Sequence, residues 1–106
     1  MIRGPFLVTP NVPTLDTIDG LLQWARVRGV YGRVSRALLE IEGHLELHPE
    51  SWGEVFHRSR ELQTTMYFKA HDEIAVKYAV HDVESEVIVM QIAVLPDHPL
   101  AEAEQG

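Results

Sequence analysis

An α+β domain, with a helical hairpin laid against one antiparallel sheet, is the fold this sequence predicts. Three observations carry that prediction. Residues 62–70, 74–80 and 87–95 are consecutive apolar-rich runs of strand length, none holding a proline or glycine, with short acidic turns between them. Two segments of helical periodicity precede these runs. One more short apolar run opens the chain.

The opening run, Phe6-Leu7-Val8-Thr9, reads as a first strand stopped by Pro10 and Pro13. Thr14 is placed to cap the helix that follows, with Asp16 in the first turn, where the helix dipole favours negative charge. Leu15, Ile18, Leu22 and Ala25, joined by Leu21, recur at helical spacing, and Gly29 ends the helix. A second helix starts near Val30. Its apolar face is Tyr31, Val34, Leu38, Ile41 and Leu45, while Arg33, Arg36, Glu40 and Glu42 face out. Gly43 weakens it by roughly 1 kcal/mol relative to alanine. Pro49 ends it, because the residue before a proline resists the helical region. Two helices parted by a single glycine form a helical hairpin. Residues 51–60, with Trp52 and Gly53, read as a loop.

Parity orders the sheet. The even positions are the more apolar: Leu62, Thr64, Met66, Phe68 and Ala70, then Ile74, Val76, Tyr78 and Val80, then Ile88, Met90, Ile92 and Val94. A three-residue loop, His71-Asp72-Glu73, pairs Ala70 with Ile74 and puts these sets on one face, beneath the helices. The opposite face then carries Tyr67, Lys77 and Gln91 in one row, with Lys69 beside them. Residues 87–95 are apolar on both faces, as befits an inner strand.

At 106 residues, 45% of them apolar and 24% charged, the chain is the size and make-up of one folded domain. That domain spans residues 1–100, and the acidic residues 101–106 read as a disordered tail. No run is long enough for a membrane span, and the start Met1-Ile2-Arg3-Gly4-Pro5 has no signal-peptide core. The absence of cysteine excludes disulfides and thiol chemistry and fits a reducing cytoplasm. A net charge of −7 and a pI near 5.2 exclude general affinity for polyanions, which counterion release on a basic face would supply. The lysines are Lys69 and Lys77, and the arginines cluster from Arg26 to Arg36 and at Arg58 and Arg60.

Several short motifs resemble one family. The helix end Leu45-Glu46-Leu47-His48-Pro49-Glu50-Ser51-Trp52-Gly53 resembles the L-x-x-N-P-x-x-x-G helix end of the RelE/ParE toxin superfamily. Thr9-Pro10 resembles that family's F-T-P start, and Ile74-Ala75-Val76-Lys77-Tyr78-Ala79-Val80 its Y-R-V-I-Y-x-V strand. Residues 87–95 resemble its closing apolar strand, and Asp97-His98-Pro99 its short polar C-terminal segment. The resemblance implies a small α+β fold in the cytoplasm and no cofactor. It implies an antitoxin or other protein as partner, with RNA or the ribosome as a further partner; a homodimer stays open, since the sequence does not show the oligomeric state. In the RelE branch it implies cleavage of messenger RNA on the ribosome.

Such cleavage needs cations that stabilise the phosphorane and an acid–base group at the 2′-hydroxyl. Carried over residue by residue, the resemblance assigns Arg58, Arg60 and Lys77 to phosphate charge and His98 or Tyr67 to proton transfer, with His57 and Lys69 nearby. The family's strand arginine falls on Ala75, and its Y-R-L-R strand on Thr64-Thr65-Met66-Tyr67. A toxin-like endoribonuclease of a toxin–antitoxin pair and a non-catalytic RelE-fold interaction module both remain open, because fold does not choose between them.

The histidines offer one other pattern. His44 and His48 stand at i, i+4 on the second helix, a spacing that shares a metal only with further ligands. His71-Asp72 and His81-Asp82 close opposite ends of one strand, about 30 Å apart at ~3.3 Å per residue, too far to share an ion. Solvated turns and a solvated helix face account for all four, so no metal is expected. Trp24 and Trp52 read as packing residues. No glycine-rich phosphate loop and no nucleophile elbow occur.

Overall fold

The computed structural model describes residues 5–95. His98 and the tail from residue 101 lie outside the described residues. The elements run β1 (Leu7–Pro10), α1 (Val12–Arg28), α2 (Tyr31–Leu47), α3 (Pro49–Trp52), β2 (Glu54–Ser59), β3 (Thr64–His71), β4 (Ile74–His81) and β5 (Glu86–Val94). The strands form one sheet in the order β1-β5-β4-β3-β2. β1 runs parallel to β5, and every other neighbouring pair is antiparallel. This is the α+β architecture the sequence predicts: a helical hairpin on one face of a sheet whose last three strands form a meander.

Local chemistry sets the helix ends. The cap of α1 is Asn11, not Thr14: the Asn11 side-chain oxygen accepts the Thr14 N–H at 3.0 Å. Pro13 sits in the first turn, where no intrahelical N–H is required, so it starts the helix instead of merely ending the strand. The start therefore lies earlier than expected, and the first turn holds no acidic residue. Gly29 closes α1 at φ 77°, a left-handed conformation, and the Val30 N–H reaches back to Ala25 O at 2.8 Å. In α2 the buried side chains are Val34, Ala37, Ile41 and Leu45, one stripe at helical spacing. After His48 the chain re-enters a single turn at Pro49, and the buried Tyr78 hydroxyl donates to Pro49 O.

The expected loop over residues 51–60 contains a strand. β2 pairs with β3, with a bulge between Val55 and His57. It is an exposed edge strand, so no apolar alternation marks it in the sequence.

The register of β3 also differs from expectation. The β3–β4 turn has two residues, Asp72 and Glu73, both at positive φ (48° and 65°), and His71 pairs with Ile74. Such a mirror-image turn matches strand twist better than a three-residue loop. Arg33 reaches both turn carboxylates, at 3.4 Å and 3.2 Å. One residue of slip reverses a strand's faces. Thr65 and Tyr67 therefore share the helix face with Ile74, Val76, Tyr78 and Val80, while Met66 and Phe68 turn away. In β5 a second irregularity, opposite Lys77 and Tyr78, changes parity part-way, so Val87 and Val89 and then Ile92 and Val94 are buried. Ile88 and Met90, expected inside, lie outside, and Leu62 is an exposed turn residue.

Candidate functional site

Among the described residues, α1 and α2 cover one face of the sheet and no element covers the other. That face sets apolar side chains among polar ones: Glu54 pairs with Phe68 and His57 with Met66, beside Lys77 and Gln91. Phe56 is 50% exposed, Phe68 38%, Ile88 39% and Met90 40%, and Met66 and Ala79 lie among them. One row across it runs Phe68, Lys77, Gln91 in register, and the Lys77 ammonium stands 5.9 Å from the Phe56 ring centroid.

The sequence-predicted catalytic residues divide between the two faces. Lys77 is on the bare face. Tyr67, expected beside it, is only 5% exposed on the helix face and stacks on Tyr78 with centroids 5.2 Å apart. The expected row of Tyr67, Lys77 and Gln91 thus has Phe68 in place of Tyr67, a direct result of the two-residue turn. Burial, then the Glu50 carboxylate, raises the Tyr67 phenol above its ordinary pKa, while Arg58 acts in the opposite direction. Arg58 pairs opposite Thr65, on Tyr67's side of the sheet. Arg60 lies in the turn after β2, and His98 is outside the described residues. The fold brings Arg58 near Tyr67 and parts both from Lys77. Asp82, close to the same end, is held by the Thr65 hydroxyl at 2.9 Å.

A second cluster gathers where α2, α3 and β3 meet. His44 Nδ1 and His48 Nε2 are 2.8 Å apart. Trp52 stacks on His44 with ring centroids 5.0 Å apart and planes 9° from parallel, and His71 approaches His44 edge-on at 5.7 Å. His71 Nε2 bonds Glu40 at 3.3 Å, and the Lys69 ammonium stands 6.0 Å from the Trp52 ring centroid. Burial first, then the charges of His48 and His71, hold the His44 pKa below its ordinary value; Lys69 adds to this and Glu40 opposes it. Helical spacing makes the His44–His48 pair visible in the sequence. His71 joins it only through the β3 register. Among the described residues, no group of three or more histidine, cysteine, aspartate or glutamate side chains could hold a metal ion. No helix of the described residues is long and apolar enough to cross a membrane.

No protein-family model matches the sequence, and neither does any curated protein. Among solved structures, the chain is similar to one in the crystal structure of the archaeal RelE–RelB complex from Pyrococcus horikoshii OT3, at 14% identity. The match covers 89% of this chain and 99% of that one, with a TM-score of 0.61. Identity this low speaks for the fold alone, and on that ground the chain has the RelE-like fold.

Proposed function

We propose that this chain is the toxin-fold half of a cytoplasmic toxin–antitoxin-type pair, and that its bare sheet face holds a protein partner. The observation that carries the reading is the set of exposed side chains Phe56, Phe68, Ile88 and Met90 on one uncovered face. Apolar surface left in water costs about 25 cal/mol per Å², and a contiguous patch of this kind marks an interaction site. The structural neighbour is itself a complex with RelB, which supports a partner for this fold. The chain's charge of −7 suits a partner with apolar anchors and basic flanks.

RNA cleavage is the weaker reading. A phosphorane needs convergent cations. The bare face offers Lys77 and, opposite Met66, His57, whereas Arg58 and Tyr67 lie across the sheet and Tyr67 is enclosed. Expression without a partner separates the two. The expected result is unimpaired growth. Growth arrest relieved by Lys77→Ala or Arg58→Ala would replace this reading with the nuclease one. Light scattering tests the remaining occupant, a second copy: the expected species is a monomer, and a dimer broken by Phe68→Glu would assign the face to self-association.

A further inference from the structure

We propose that the cavity between the helical hairpin and the β1–β5 side of the sheet binds a linear aliphatic amine, with the hydrocarbon chain inside and the ammonium on the Glu42 carboxylate. The site is independent of the bare sheet face and of the partner proposed for it, since its walls are the two helices and the face of the sheet beneath them.

The cavity has a volume of about 330 Å³, at the lower end of the range for small-molecule sites. Its walls are apolar: Ile18 and Leu22 of α1, Leu38 and Ile41 of α2, and Val89 and Ile92 of β5. The polar side chains among its lining residues are Tyr31, Ser35 and Glu42, all on α2. Ser35 already donates to Gly32 O at 3.3 Å. A confined water needs about two to four polar partners, so most of this space suits hydrocarbon better than water. The lining also sets the shape. Along α2 it runs from Tyr31 to Leu45, about 21 Å of helix at ~1.5 Å per residue. A volume of about 330 Å³ drawn out over that length has a cross-section of roughly 16 Å², the girth of one unbranched chain.

Charge decides which end of the chain goes where. Among the described residues, no side chain pairs with the Glu42 carboxylate. Its neighbours on α2 are engaged: Glu40 bonds His71, and Arg33 bonds Asp72 and Glu73. At the far end of the lining, the Arg26 guanidinium stands 4.7 Å over the Tyr31 ring and keeps a second cation away. The ammonium therefore belongs at Glu42, with the chain running toward Tyr31. Glu42 is exposed, so the ion pair sets the sign of the head group while burial of the chain supplies the affinity. A molecule held here touches α1, α2 and β5 together, so it binds the folded chain alone and raises thermal stability.

Calorimetric titration of the full chain with octylammonium chloride near neutral pH tests the site. Octanoate serves as the anion of equal length and hexylammonium as the shorter homologue. The expected result is saturable binding at one molecule per chain, with shifted methyl signals of Ile18, Ile41 and Ile92 in NMR spectra and a raised thermal midpoint. Each methylene is expected to tighten binding about fourfold, so octylammonium binds roughly 16-fold tighter than hexylammonium. Octanoate is expected to bind about fivefold weaker than the amine, and Glu42→Gln to bring the two within about twofold. Ser35→Phe, which fills the cavity from α2, abolishes binding, with circular dichroism confirming the fold. Binding that does not saturate, or shifts at Ile88 and Met90 in place of the three isoleucines, overturns the site. Octanoate binding as tightly as the amine, or a preference for the amine that survives Glu42→Gln, overturns the amine assignment.

Discussion

Gly53 is the residue on which the junction beside the sheet turns. A Cβ placed there would lie 2.6 Å from the Tyr78 hydroxyl oxygen, 3.0 Å from Phe68 O and 3.2 Å from Tyr67 Cβ. The hydroxyl is not free to retreat, because Tyr78 is fully buried and donates to Pro49 O. Gly53→Ala is therefore expected to cost about 1–3 kcal/mol, read as a fall in thermal midpoint of roughly 4–8 °C per kcal/mol. Tyr78→Phe removes the clashing oxygen, so the double variant is expected to lose less than the sum of the single losses. Thr14 shows the opposite case. Its hydroxyl is buried without a hydrogen-bond partner, while its N–H is satisfied by Asn11. Thr14→Val keeps the shape and removes the orphan, and is expected to raise stability by about 1 kcal/mol in chemical denaturation. His44 carries a pH dependence. Its folded pKa is depressed, so the unfolded chain binds more protons as pH falls. Stability is full above the ordinary histidine value near ~6.5 and declines as pH drops from there toward the folded value. His44→Gln is expected to flatten the change in midpoint between about pH 7 and 5.5.

At the scale of elements, the long periodic segments were legible and the short turns were not. The stripe Val34, Ile41, Leu45 and the cap Gly29 announce the helical hairpin in sequence alone. The three closing strands stand out because each is rich in β-branched and aromatic residues between polar turns. Their faces were misread because the decisive signal was a turn without glycine or asparagine. Asp72 and Glu73 both adopt positive φ, with Arg33 at their carboxylates, and nothing in their identity requires that. One slipped residue moved Tyr67 inside and Phe68 outside, and with them the candidate site. β2 was invisible for a different reason: an exposed, bulged edge strand has no buried side to mark. The turn supplies its own test. Glu73→Gly relieves a left-handed side-chain-bearing residue at φ 65° and gives up a half-exposed ion pair worth little. The expected net gain is about 0.5–1 kcal/mol. A loss of stability would mean that the pair with Arg33 holds the turn.

For the whole molecule, the helix hairpin and the sheet bury the core on one side of the sheet. Phe6, Val34, Ile41, Leu45, Val76, Tyr78 and Val87 close that side. The other side presents Phe56, Phe68, Ile88 and Met90 to solvent around Lys77. The proposed protein-binding role rests on this one-sided burial. The most direct measurement is the affinity of the purified protein for a candidate antitoxin chain, by calorimetry, with substitutions on each side of the molecule. Phe68→Glu and Met90→Glu are expected to weaken binding by about 30-fold or more, the loss of an interface anchor, while Leu39→Glu, on the exposed side of α2, leaves it within about twofold. Binding abolished by Leu39→Glu and indifferent to Phe68→Glu and Met90→Glu would contradict the assignment.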